Sequence, residues 1–348
     1  MNQLSGKISG GGFSELILPR LGFERSNVKH GPAFGVDVSV IDIGAGTGLA
    51  LTSDPLSLIP SLGLAESAWL SVHLMANDMA TTGFSPMYAQ MVLNLPQTLS
   101  QPDFAVYWDH IHHYCKAIGV SLTGGHTCSI AGQNSTIAGG GTMLLTAPVN
   151  DILVSSKAQQ GDVIIVTKEC ALSSAAILAM SFPETVKNKL GTAIYHNCCD
   201  LFQQTSSLPD ALAAKATGQV TAMHDVTEGG VLGAVYEMAL ASGLGVRVNN
   251  YALPIGYVQQ KLTELFGIDQ RYCVGAGSMI IAVTPRAEQT VIAALNAHQI
   301  KATAIGSFVN QQHGCKLIDV NNNEQIMPYF EKDPYWDAFF KAYNEGWK

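Results

Sequence analysis

Apolar and polar positions along the chain follow two periods, and the places where each begins and ends outline the elements. VDVSVIDIG (residues 36 to 44) alternates around β-branched side chains, and LALTSD (49 to 54) repeats the alternation after the turn-like GAGTG. These segments predict two paired strands. LAESAWLSVHLMANDMATTG spaces its apolar residues helically, which predicts a helix over 64 to 82 with Gly83 beyond its end. MYAQMVLNLP reads as a buried strand, DFAVYWDHIHHYCKAIG as a second amphipathic helix ending at Gly119, and GGGTMLLTAPV (139 to 149) as another strand. LTGGHTCSIAG, residues 121 to 131, fits neither period; its glycines beside a His-Thr pair predict a backbone bent tightly around a ligand.

The second half repeats the alternation of strands and helices without the unit length of a solenoid. DVIIVTKE and the helix ALSSAAILAMS open it. In TAMHDVTEGGVLGAVYEMALASG a short strand meets a glycine-bearing loop that opens a helix. GVRVNN, SMIIAVTP, a helix from Arg286 to about Ala297, and KATAIGSFV follow, and the aromatic YWDAFFKAYNEGWK predicts a terminal amphipathic helix. The organisation changes between residues 150 and 160. The first ~30 residues are glycine-rich and weakly helical around SELILPRLG, a segment expected to be mobile unless it closes over a ligand.

Composition narrows the classes. With 348 residues, 47% hydrophobic and 13% charged, the chain has apolar mass for two cores. No apolar run reaches the ~18 residues of a membrane span, and a formal charge of −8 without a basic cluster argues against nucleic acid as a partner. MNQLSGKISGGG lacks the basic start and apolar core of a secretory signal, so a cytoplasmic location is expected. Seven scattered cysteines, with no CxxC and only Cys198 and Cys199 adjacent, predict reduced thiols rather than a disulfide framework or a zinc site.

Chemistry concentrates at a few positions. In HDVTEGG, His224 and Asp225 end a strand, Thr227 is a capping residue, and Gly229 and Gly230 allow close backbone approach. The loop reads either as an ordinary capped turn or as a helix start offering amides to an anion. Asp37, Asp54 and the pair Asn77-Asp78 interrupt very apolar segments, where a charge is costly without a partner or a metal. Dispersed carboxylates converging on a phosphate would suit Mg²⁺. His126, beside Gly124 and Gly125, reads either as a buried imidazole bonded to backbone or as a contact to phosphate or metal. His110, His112 and His113 read as a solvated helix face, and Lys7 as a solvated lysine within reach of a phosphate.

GVDVSVI, TSDP, HLMANDMATTGFSPMY, LTGGHT and HDVTEGG, in this order and spacing, resemble the aminoimidazole ribonucleotide (AIR) synthase-related proteins, from about Gly6 to Pro285. GKISGG, LILPRLG and GPAFGVD are most similar to the hydrogenase-maturation, HypE-like branch. The resemblance implies an α/β (α+β) two-domain subunit of the PurM type. Its N-terminal domain (1–155) would form a dimeric β-barrel, and an αβ domain (156–348) would follow. It implies a homodimer that binds ATP between the barrel and the second domain. Asp37, Asp54 and Asp78 would hold Mg²⁺, with Asp37 and His126 at the chemistry. Asp54, Asn77, Gly124, Gly125, Thr127, His224, Asp225, Thr227, Gly229 and Gly230 would contact the nucleotide.

The implied activity is ATP- and Mg²⁺-dependent phosphorylation or dehydration of a small acceptor. Three departures keep a non-catalytic nucleotide- or partner-binding relative open. Val36 stands where relatives carry a second acid, His126 where several carry Asp, and the chain ends in Trp347-Lys348 rather than in the branch's reactive cysteine.

Overall fold

The structure is a computed structural model, and it describes residues 6–348. It opens with a short turn, α1 (Gly10–Gly12), that continues as irregular helix to Arg20. The first sheet comprises β1 (Val28–His30), β2 (Ser39–Gly44), β3 (Thr47–Ser57), β4 (Tyr88–Pro96), β5 (Ser121–Ile130) and β6 (Ile137–Pro148), in the order β1-β2-β3-β6-β4-β5. All neighbours are antiparallel except β4 and β5. The helices α2 (Leu64–Ala80) and α3 (Gln101–Ala117) cover one face. Alternation explains the sidedness: Ala89, Met91, Leu93 and Leu95 of β4 point into the core under these helices, and Tyr88 and Val92 point outward, each 44% exposed.

The second half builds a seven-stranded sheet. Its strands are β7 (Val163–Thr167), β8 (Val220–Asp225), β9 (Leu244–Asn249), β10 (Met279–Val283), β11 (Ala302–Asn310), β12 (Cys315–Ile318) and β13 (Glu324–Ile326), in the order β13-β12-β9-β11-β7-β10-β8. The fully apolar MIIAV of β10 is buried on both faces, as a central strand should be. One face packs on α8 (Gly230–Ala241), the other on α7 (Leu208–Lys215) and α10 (Glu288–Ala297). A helical layer of α4 (Leu172–Ser181), α5 (Pro183–Leu190), α6 (Thr192–Asp200), α9 (Tyr257–Phe266) and α11 (Pro334–Asn344) completes the chain.

LTGGHT is not a turn. Residues 121–130 form an edge strand, and the register against β4 slips between Ala89–Leu122 and Gln90–Gly124, so Thr123 is the extra residue of a bulge. Gly125 has φ +149°, and a Cβ there would strike the Met91 carbonyl. The glycine serves strand pairing rather than a bend around a ligand.

The halves meet along α2. Trp69, His73 and Asn77 recur every fourth residue and share one face of that helix. The Trp69 indole donates to Thr205 Oγ1 (2.8 Å), and His73 Nδ1 lies 3.0 Å from Ser206 Oγ. The Asn77 amide donates to Thr205 O (2.9 Å) and accepts from Ser207 N (2.7 Å).

Candidate active site

Topology brings the scattered acids together beside this joint. Asp37 precedes β2, Asp54 lies on β3, Asp78 on the last turns of α2 and Asp225 at the end of β8. Asp54 faces the helical side of its sheet with Thr52, whose hydroxyl donates to Asp78 Oδ2 (2.9 Å). Asp37, His224 and Asp225 offer ligand atoms within 4.8 Å of one another. His224 bridges two acids, with Nδ1 2.7 Å from Asp37 Oδ2 and Nε2 3.3 Å from Glu237 Oε2. Lys7 reaches in from the N-terminal segment, donating through Nζ to Thr227 Oγ1 (2.9 Å) and through its backbone N–H to Glu228 Oε2 (3.0 Å).

The electrostatics follow from crowding. Burial and the neighbouring Asp37 push Asp225 up to about 7. Burial pushes Asp54 up to about 6, against the pull of Lys7. Asp78 is raised by burial and by Asp225, Asp54 and Asp37. Burial opposes charge on His224, yet Asp37 and Glu237 outweigh it and hold its pKa well above the ordinary value. Burial likewise lowers Lys7, and Glu237, Asp225, Asp37 and Asp78 more than restore it. Six carboxylates (Asp37, Asp54, Asp78, Asp225, Glu228 and Glu237) thus gather around two cations. Protons held at near-neutral pH are the response of acids that lack enough positive charge. An all-oxygen donor set in that state fits Mg²⁺.

Several expected contacts lie elsewhere. Asn77 is fully buried, and both amide atoms are spent on the joint, so it is not a nucleotide contact. Gly229 N–H donates to Asp333 Oδ2 (2.7 Å) and Gly230 N–H to Thr227 O (3.2 Å), so neither amide is offered to a phosphate. Gly230, at φ +64°, is required because a Cβ would press on the carbonyls of Arg271 and Cys273. Thr227 caps nothing; Gly229 is the N-cap of α8. His224 has both ring nitrogens against carboxylates, those of Asp37 and Glu237.

Gly124, Gly125, His126 and Thr127 lie on exposed β5. The row Asp54, Gly141, Met91, Gly125 puts three strand spacings, about 14 Å, between that edge and Asp54. His112 and His113 lie on the exposed face of α3, His110 is half-buried and stacks on Tyr114, and all seven cysteines are free. Among the described residues, no helix is long and apolar enough to cross a membrane.

Three residues of the cluster are not singled out by their local sequence. Lys7 reads there as solvated, within reach of a phosphate. Glu237, the lone acid in the apolar helix GVLGAVYEMALA, carries the same signal that marked Asp78. Glu228 ties both ends of the chain to the site, accepting from Lys7 N and from the Trp336 indole (3.0 Å).

An α/β chain of two sheets with an acid-rich cluster at their joint defines a class, and comparison with known proteins places the chain within one. Residues 35–145 match the family model of the AIR synthase related protein N-terminal domain, and residues 159–316 that of the C-terminal domain. The chain belongs to the AIR synthase-related family. It is 27% identical over 252 residues to carbamoyl dehydratase HypE of Escherichia coli strain K12, covering 70% of each chain. It is 26% identical over 317 residues to the selenide, water dikinase of Photorhabdus laumondii, covering 82% of this chain and 86% of that one. The hydrogenase maturation protein HypE in complex with ATP superposes with a TM-score of 0.70 at 18% identity, over 95% of this chain and 97% of the other.

Proposed function

We propose that the protein is an ATP- and Mg²⁺-dependent enzyme that phosphorylates or dehydrates a small acceptor, as a HypE-like member of its family. The observation that carries this reading is the convergence of Asp37, Asp54, Asp78 and Asp225, with Lys7, from five separate segments. Relatives named carbamoyl dehydratase and selenide, water dikinase, and a fold neighbour solved with ATP, support it. The four aspartates would hold Mg²⁺, which when bound neutralises and orients the phosphates. Lys7 adds a movable cation at the same place. An acceptor oxygen attacks the γ-phosphorus, the bond to the β,γ-bridging oxygen breaks, and ADP leaves, with the acceptor's proton passing to a carboxylate of the cluster. In the dehydrating version the carbon–oxygen bond then breaks, the phosphorylated oxygen departs as inorganic phosphate, and the acceptor loses a proton from the adjacent atom as a multiple bond forms there. Positioning and charge neutralisation carry most of such a transfer.

The same reading assigns residues 1–155 and 156–348 to two domains and the protein to the cytoplasm. A second copy would cover the outer face of the first sheet, where Ile43, Tyr88, Val92, Ile130 and Ile137 are exposed beside the open edge of β5. That dimer would close the sheet into a barrel and bring Gly124, Gly125, His126 and Thr127 of one copy toward the cluster of the other. Calorimetric titration with ATP, with and without Mg²⁺, paired with ADP release over a panel of phosphate and amide acceptors, tests the function. Mg²⁺-dependent binding with acceptor-stimulated ADP release is expected. Binding without turnover on any acceptor would contradict the catalytic part.

A further inference from the structure

Asp37 presents its two oxygens to different surroundings. Oδ2 accepts from His224 Nδ1 at 2.7 Å and from Ser155 Oγ at 3.0 Å. Oδ1 has no hydrogen-bond partner among the described residues. Behind His224 stands Glu237, whose Oε2 lies 3.3 Å from Nε2 and whose Oε1 lies 3.4 Å from the Tyr329 hydroxyl. With Nδ1 against Asp37 and Nε2 against Glu237, both ring nitrogens of His224 are already engaged by carboxylates. The backbones are locked in parallel with the side chains. Gly35, two residues before Asp37, has φ +73°, and a Cβ there would sit 2.5 Å from Glu237 O.

We propose that Glu237 is a positioning residue: through His224 it fixes Asp37 with Oδ2 turned back into the protein and Oδ1 presented to a divalent cation. This rests on the Mg²⁺- and ATP-dependent reading above. The arrangement extends to a carboxylate the rule that metal ligands are aimed by the groups hydrogen-bonded behind them.

The test uses the full chain and two isosteric changes. Glu237→Met keeps the reach and removes the acceptor; Glu237→Gln removes the charge and keeps an acceptor for His224. Half-saturating Mg²⁺ for ATP binding is expected to rise about 10- to 100-fold in Glu237→Met, the usual loss when an outer-shell partner of a metal ligand is removed. ATP binding in EDTA should be unchanged, and Glu237→Gln should stay within about threefold of wild type. A folded Glu237→Met with wild-type Mg²⁺ dependence overturns the proposal, as does one that weakens ATP equally with and without Mg²⁺.

If Glu237→Met melts below the assay temperature, His224→Gln cuts the same chain at its next link and carries the same expectation. A wild type that prefers Zn²⁺ to Mg²⁺, with loss in His224→Gln and none in Glu237→Met, makes His224 a ligand and also overturns the proposal. Should the wild type bind no ATP, the nucleotide reading fails. Binding of Mn²⁺ alone to the same variants, followed by its paramagnetic resonance, then decides for or against Glu237.

Discussion

The acidic joint and the outer edge strand β5 carry residues of the same kinds, glycines, a histidine and hydroxyl or carboxyl oxygens, in opposite physical states. At the joint, Asp37, Asp225, His224 and Glu237 are largely buried, and both His224 nitrogens and both Glu237 oxygens have partners. On β5, Gly124, Gly125, His126 and Thr127 face solvent on a strand with one neighbour. Burial makes charge expensive, so the joint stores unfavourable repulsion that a cation relieves. The edge strand stores nothing and waits only for another surface. On the proposed reading, the first region is a site within one chain, and the second would join a site only where a second copy supplied the rest.

The sharpest way to break this comparison is at two adjacent residues. Replacing Asp78 with Asn keeps the shape and removes one charge from the cluster. ATP affinity should then fall about 10- to 100-fold at saturating Mg²⁺, the scale of a charge-assisted contact, and little in EDTA. Equal affinity of the two proteins at every Mg²⁺ concentration would return Asp78 to a structural role.

Asn77→Ala should behave oppositely. It leaves Ser207 N–H and Thr205 O without their partner in a buried joint, at a cost of about 2 kcal/mol in stability. The melting temperature should drop by several degrees while the Mg²⁺ dependence of ATP binding stays that of wild type. A shifted Mg²⁺ dependence would move Asn77 back into the site.

The stored repulsion also predicts how stability changes with pH. Asp225 near 7, and Asp54 and Asp333 near 6, hold protons more tightly folded than unfolded. Their contribution is complete below the unfolded carboxylate range and lost as pH rises through about 6 to 7. Glu237 is shifted the other way, because the pull of His224 outweighs burial, and its contribution is lost only in stronger acid. Metal-free protein should therefore melt higher at about pH 5.5 than at about pH 7.5, by roughly 2 °C or more for each kcal/mol of linkage. Mg²⁺ at the higher pH should close the gap. A melting temperature that rises with pH in EDTA would contradict the clustering of these acids.

The smallest effect belongs to the edge. His126→Asn should leave monomer stability unchanged and lower ATP affinity by about threefold, through the contact that the proposed dimer would supply. A loss as large as that of Asp78→Asn would erase the distinction between the regions.

Most of the elements were legible because long amphipathic segments such as LAESAWLSVHLMANDMA declare their period. Asp54, Asp78 and Asp225 stood out because charge interrupts apolar sequence. What stayed hidden was long-range. Nothing local distinguishes Asn77, which is saturated by a loop 128 residues away, from Asp78 beside it. Two glycines read as a turn because close strand pairing at Gly125 calls for the same residue as a bend, and only the register against β4 tells them apart. Lys7 looked solvated since its partners, Thr227 and Glu228, lie 220 and 221 positions along the chain.

The central claim is that the joint, and not the edge strand, holds the metal and the transferred phosphate. Crystals grown with Mn²⁺ and a non-hydrolysable ATP analogue address it directly through the anomalous signal of manganese. The account predicts a peak bounded by Asp37, Asp54, Asp78 and Asp225, with the terminal phosphate against it and Lys7 close by. A manganese peak elsewhere in the molecule, or a nucleotide whose phosphates avoid these four carboxylates, would contradict it.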